Sequence, residues 1–306
     1  MSEARRILPG TTYLLTRRCM GRCYLLTPDA RGEMTMIIGY CLALAAARHG
    51  ILVHASVALG NHWHLVVTDV RGTLPVFLRD AHSFIARCVN DVRGRTENVW
   101  AVRQPSAVVL LDRGAVWDKL VYCLANATSS GLVASHSAWP GFHTRPGDLI
   151  EAPRVYRRPS HYFGARSRRV PKEIALHITK PPCLAHLSDA EYATELTRRL
   201  RAKEEELRRQ AKHAKRRFRG VAAILSQSPF SRPVGDVPGP RSALNPRVAA
   251  EDKETRIAHL GLLADFRRLY ARARDLWRQG HRDTLFPPGT YQVVHLHGAC
   301  VMQAPT

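Results

Sequence analysis

Val57-Ala58-Leu59-Gly60-Asn61-His62-Trp63-His64-Leu65-Val66-Val67-Thr68-Asp69 is the stretch around which the rest of the chain is arranged. Apolar and β-branched residues flank Gly60-Asn61 and read as the two arms of a hairpin. Side chains alternate faces along a strand, so His62 and His64 share one side while Trp63 takes the other. Two neutral imidazoles on one side of a rigid strand can grip a single divalent cation. An isolated His-x-His is more often a pair of strand histidines facing water, and the motif alone does not decide.

Upstream, residues 51–59 form the first arm, with His54 read as an ordinary strand histidine. Residues 34–48 are apolar at helical spacing and are stopped by Gly50. Thr27-Pro28 reads as a helix start, with Thr27 as N-cap and Pro28 at the first helical position. Residues 11–18 read as a strand ending in Arg17 and Arg18, placed to touch a phosphate backbone. Downstream, 74–92 is an amphipathic helix whose His82 is a reserve ligand, though a surface helix histidine is the commoner role. Residues 107–111 form a fourth strand. Strand, helix, strand, strand, helix, strand is the split pattern of a ferredoxin-like antiparallel sheet with helices on one face, in an α+β fold.

Residues 116–126 read as a further helix, with Val116, Leu120, Val121 and Leu124 as its apolar stripe. Tyr122 and Asn126 are four apart, hence neighbours on one face. Two histidines, a carboxamide oxygen as third ligand and a nearby phenol suit phosphodiester cleavage. The metal would polarise a non-bridging oxygen while the phenolate attacks phosphorus. The plainer role for Tyr122 is a half-buried helix tyrosine.

Asn61-His62-Trp63-His64-Leu65, then Tyr122-Cys123-Leu124-Ala125-Asn126, then Gly131-Leu132-Val133, together resemble the single-tyrosine HUH transposases, HUH meaning His-hydrophobic-His. The REP-associated tyrosine transposase branch is the most similar. Ala127-Thr128-Ser129-Ser130 departs from the Pro-Val that follows the asparagine in that pattern. The resemblance implies a ferredoxin-like HUH core over residues 1–145. It also implies Tyr122 as nucleophile, Mg²⁺ or Mn²⁺ on His62, His64 and Asn126, and single-stranded or hairpin DNA as substrate. Whether such a chain works as monomer or homodimer stays open.

The whole chain of 306 residues carries a formal net charge of +21, which makes a polyanion the default partner. Residues 1–150 hold 16 Lys and Arg against 10 Asp and Glu, while the remainder hold 30 against 15. Seven cysteines without a Cys-x-x-Cys pair argue against a disulfide framework or zinc ribbon. The absence of a signal-like start or a membrane-length apolar run leads to the expectation of a cytoplasmic protein, and the resemblance implies a bacterial one, associated with the nucleoid through DNA. No Gly-x-x-x-x-Gly-Lys-Ser/Thr loop is present.

The region 146–306 is expected to be a basic, mainly helical extension with linkers at 146–187 and 229–247. Ser188-Asp189-Ala190-Glu191 is a capping box opening a polar helix through Arg219. Arg208, Arg209, Lys212, Lys215, Arg216, Arg217 and Arg219 form a block with almost no acidic partners, pointing to DNA contact. Residues 257–277 read as another helix, with Leu260, Leu263, Phe266, Tyr270 and Ala273 on one stripe. Residues 292–297 read as a last strand carrying a second His-x-His, His295 and His297. Three functions compete: a strand-transferring DNA endonuclease, a non-catalytic nucleic-acid-binding protein, and a metal-dependent hydrolase. Covalent chemistry on Tyr122 separates the first from the others.

Overall fold

The computed structural model describes residues 4–164, 168, 170–234 and 246–303. It is a mixed α+β fold on a five-stranded, mostly antiparallel sheet. β1 (Thr11–Arg18) follows Pro9-Gly10. The turn after it is not a helix start: the Thr27 hydroxyl donates to the Tyr24 carbonyl, and Asp29 is the residue that caps. The Asp29 carboxylate accepts from the backbone N–H groups of Arg31, Glu33 and Met34, so α1 (Glu33–His49) begins several residues later than the Thr-Pro signal predicts. Gly50, at φ 66°, closes it.

β2 (Ile51–Leu59) and β3 (His62–Asp69) are the expected hairpin. The register slips between Val53 and Ala55, so His54 is an extra, bulged residue. Its ring spans Thr179 O and Thr68 Oγ1, both at 2.8 Å, which holds the bulge in place. α2 (Leu74–Arg93) is capped by the buried Asp69 carboxylate, which accepts from the N–H groups of Thr73 and Leu74. β4 (Ser106–Leu110) returns along β1. The first four strands lie in the order β2-β3-β1-β4, each antiparallel to its neighbour.

α3 (Arg113–Leu124) breaks at Ala125, and a single turn, α4 (Asn126–Ser129), follows. Residues 146–187, expected as linker, hold β5 (Arg154–Arg157) and β6 (Glu173–Leu176), an antiparallel pair lying on α1. α1 is therefore covered on two sides, which accounts for its apolar character nearly all round. Gly39 allows this contact, because a Cβ there would fall inside the Tyr156 ring.

α5 (Asp189–His213) opens with the capping box as expected, Ser188 Oγ accepting from Glu191 N and the Glu191 carboxylate from Ser188 N. It does not run to Arg219. Arg216 N donates to Ala211 O and Lys215 N to Lys212 O, with Lys215 at φ 51°, a Schellman stop on a non-glycine residue. The chain then doubles back, Arg219 N and Gly220 N donating to Gly131 O and Leu132 O. α6 (Val221–Leu225) sets Ile224 into the core beneath.

β7 (Val248–Ala249) joins the sheet parallel to β4, and α7 (Lys253–Arg278) follows it. The expected linker 229–247 lies partly outside the described residues. The expected terminal strand is instead a short helix, α8 (Gln292–His297), ended by Gly298 at φ 67°. His295 sits over Tyr291 one turn earlier (4.1 Å between rings), a contact of helical spacing that a strand would not make.

The helices are not confined to one face. Tyr13, Leu15, Val53, Trp63, Leu65 and Val67 face α1 and α2. Leu14, Ala55, Val57, Leu59 and Val66 face the other way, onto Val116, Leu120 and Leu124 of α3. α5 covers α3 in turn, with Tyr192 stacked on Trp117 at 5.3 Å. Each fully buried leucine on this second face contributes about 1.5–3 kcal/mol. That apolar layer holds α3 against the sheet.

Candidate active site

Strand alternation decides what meets α3. Trp63 points into the α1–α2 layer, where its indole N–H donates to Ser56 Oγ at 2.9 Å. His62 and His64 therefore project toward α3, their rings 4.8 Å apart and nearly perpendicular. Tyr122, on the α3 face next to the sheet, lies edge-on to His64 with ring centres 5.4 Å apart. The residue is 43% exposed, so the side chain is within reach of an incoming ligand.

Asn126 follows the break at Ala125 and is buried. Its Oδ1 lies 3.1 Å from His62 Nε2. The other nitrogen of His62 lies 2.6 Å from Asn61 Oδ1, and a carboxamide oxygen can only accept. Burial pushes the His62 pKa down to about 4, with Arg18 adding to the effect and Asn126 opposing it. At neutral pH the ring thus carries a single N–H between two amide oxygens. One of the two contacts sets lone pair against lone pair. Rotating one amide relieves it, and so does a cation in the gap.

The separation suits a cation. Two ligands at right angles, each about 2.1 Å from a hard divalent ion, are roughly 3.0 Å apart. His64 Nδ1 is 2.8 Å from Thr16 Oγ1, across the β1–β3 pair, which leaves Nε2 as the nitrogen that could face a cation. Burial, with His62 and Arg18 adding to it, holds the His64 pKa well below its usual value. Both rings are neutral, the form that ligates. Among the described residues no three His, Cys, Asp or Glu side chains converge on one point. The donor set consists of two imidazoles and a carboxamide.

Thr16 and Asn61 were not singled out from the sequence as supporting residues. The signal for Thr16 is its cross-strand register with His64, which emerges only once β1 is paired. Lys119, one turn before Tyr122, is a further addition: its ammonium is 5.8 Å from the phenol ring centre and 2.7 Å from Asp118.

The remaining predicted residues divide. Arg18 is exposed and lies opposite His62 on β1. Arg17 points to the other face, where it lies over Trp100 and donates to Arg103 O. Burial lowers its pKa. Arg208 donates to Ala134 O at 3.0 Å, close to the chain that follows α4. Arg209, Lys212, Lys215, Arg216, Arg217 and Arg219 are exposed, the last four on the doubled-back segment beside Gly131 rather than on the helix. His82 is buried, not on the surface, tilted against Trp63 and Trp100 on the far side of the sheet. His295 and His297 lie on α8, and the helix separates them by about 200°.

No protein-family model matches the chain, and no curated protein matches it. Among solved structures it is similar to a REP-associated tyrosine transposase bound to a REP hairpin. That similarity covers 49% of this chain and 87% of the other, at 18% identity and a TM-score of 0.39. The likeness is a distant one. No helix among the described residues is long and apolar enough to cross a membrane.

Proposed function

We propose that this chain cleaves and rejoins single-stranded DNA through a phosphotyrosine link at Tyr122, as a REP-associated member of the HUH single-tyrosine transposases. The observation that carries the proposal is the meeting of an exposed phenol with two neutral imidazoles and a carboxamide oxygen, all on the α3 side of the sheet. Residues 1–145 would form the catalytic HUH domain, and 146–306 would supply most of the charge that holds hairpin DNA.

In the reaction the Tyr122 oxygen forms a bond to phosphorus, and the bond from phosphorus to the 3′ oxygen breaks. The phenol proton goes to solvent, and the departing 3′ oxygen takes up a proton to become a hydroxyl. The 5′ phosphate stays on Tyr122. A second 3′ hydroxyl reverses the step and joins strands, so the bond energy is conserved and no nucleotide triphosphate is needed. His62, His64 and Asn126 would hold Mg²⁺ or Mn²⁺, which would supply Lewis-acid polarisation of a non-bridging phosphate oxygen. Thr16 and Asn61 orient the two rings through their Nδ1 atoms. Lys119, whose ammonium lies 5.8 Å from the Tyr122 ring centre, would add positive charge near the bound phosphate. Arg18 and the Arg208–Arg219 block hold the backbone of the bound strand.

The test is incubation of the full chain with single-stranded hairpin DNA and Mg²⁺, followed by a denaturing gel. A slow-migrating covalent protein–DNA species is expected. DNA binding without any adduct supports the second reading, a non-catalytic nucleic-acid-binding protein, which the net charge of +21 also favours.

A further inference from the structure

α7 uses only part of its surface inside the molecule. Phe266 and Ala273 are buried, and Tyr270 and Trp277 pack against Phe286 of the C-terminal segment. Leu260, placed on that stripe by its spacing, is 43% exposed instead.

Beside the docked face runs a second apolar row. Leu262, Leu269 and Leu276 are 54%, 38% and 36% exposed. Seven-residue spacing is close to two helical turns, so the three align along one side of the helix over roughly 21 Å. Single exposed leucines are ordinary, whereas three in register on one helix form a strip that water solvates poorly. Asp265 and Arg272 each follow a leucine of the row by three residues, which places both on the same flank.

The strip is complementary to itself. With a second copy antiparallel about a twofold axis at Leu269, that residue meets its own mate and Leu262 meets Leu276. Asp265, which is also paired with Arg268 of its own helix at 3.0 Å, then falls level, within one residue's rise, with Arg272 of the other copy, and symmetry repeats the contact. A parallel pairing would set like charges level instead.

We propose that this chain self-associates through α7, two copies packing antiparallel about Leu269. A helix pair of this length buries an area at the small end of specific interfaces, below about 1,200 Å². The dimer is therefore concentration-dependent. The proposal is independent of the DNA chemistry, and its test uses no DNA.

Sedimentation velocity on the full chain over a hundredfold concentration range should show a monomer–dimer equilibrium. Leu269→Asp should abolish it, a loss of at least tenfold in association, with the melting temperature unchanged at dilutions where the wild type is monomeric. Asp265→Arg and Arg272→Asp should each weaken association several-fold, and the two together should restore it. In a Cys300→Ser background, Leu269→Cys should cross-link copies under oxidised glutathione, whereas Leu262→Cys, facing Leu276, should not. A monomer at every concentration would overturn the proposal, as would self-association that survives Leu269→Asp. A melting temperature lowered by Leu269→Asp at those dilutions would mean that another part of the same chain covers the row, and would overturn the proposal. Binding of monomers to anionic vesicles through the leucines would overturn it equally.

Discussion

His62 Nε2 and Asn126 Oδ1 stand 3.1 Å apart, joining the hairpin strand to the turn that follows the tyrosine helix. If a divalent ion bridges them, the three donors are unequal. A water can replace a carboxamide on a hard ion that often keeps waters, while an imidazole held by a second hydrogen bond has no such stand-in. His62→Ala or His64→Ala is expected to remove cleavage and leave most DNA binding. Asn126→Ala should cost less, about tenfold in rate, recoverable at higher Mg²⁺. Cleavage at the wild-type rate in either histidine variant would refute the assignment.

Tyr122→Phe should abolish the covalent adduct while changing stability by less than about 0.5 kcal/mol, the usual range for an exposed position. The ring stays in place against His64 and only the attacking oxygen is lost. Mass spectrometry of any residual adduct is the check. A nucleotide found on Tyr13, Tyr24 or Tyr40 would move the nucleophile elsewhere.

Thr16→Val keeps the shape of β1 but removes the oxygen beside His64 Nδ1. The ring then loses its tautomer anchor, and metal affinity should fall about 10–100-fold. A Mg²⁺ titration of cleavage should show the midpoint moved up with the saturating rate little changed. A fall in rate at every concentration with no shift in midpoint would argue against a positioning role.

Arg216→Ala combined with Arg217→Ala removes two exposed charges from the segment beside Gly131. Affinity for single-stranded DNA should drop, and the slope of log K against log salt should flatten by about 1.4, at roughly 0.7 per phosphate contact. An unchanged slope would place the nucleic acid on another surface.

Acid should destabilise the fold. Burial lowers the pKa of His54 to about 4 and that of His82 to about 3. In the unfolded chain such rings take up a proton below about pH 6.5, but the folded rings do not. Stability is therefore fully present above about 6.5 and is lost as pH falls toward the folded values. His82→Phe keeps the contacts with Trp63 and Trp100 and removes one such group, so its melting temperature should fall less steeply between pH 6.5 and 4. Parallel profiles for the two proteins would contradict this.

Local signals explain which parts of the fold were readable. The hairpin, α1, α2 and the α5 capping box all carry their pattern within a few neighbouring residues. Val248–Ala249 is too short to show a period, and its partner β4 is remote in sequence. β5 and β6 were obscured by the Arg- and Pro-rich composition around them. The β-branched Val293-Val294 suggested a strand, but Gly298 and the Tyr291–His295 contact make a helical turn. α5 ends at His213 on a Schellman turn at Lys215, a residue type that does not mark a helix end in sequence, and the chain beyond it bonds to the remote Gly131 and Leu132. For the candidate site, spacing put the two histidines on one strand face and Tyr122 and Asn126 on one helix face, while only the resemblance to the HUH transposases joined the two pairs. Thr16 could be found only through strand register, and the opposite directions of Arg17 and Arg18 became informative once each face had a partner layer.

The pairing of β4 with β7 also bears on how the protein is made. A ribosome delivers β1 to β4 and the tyrosine helix well before Val248 emerges, and until then the free edge of β4 is a template for pairing with another chain. Contacts so distant in sequence form slowly. The half that carries most of the basic residues thus also covers the edge of β4, and a nascent chain halted after α3 would be prone to aggregate.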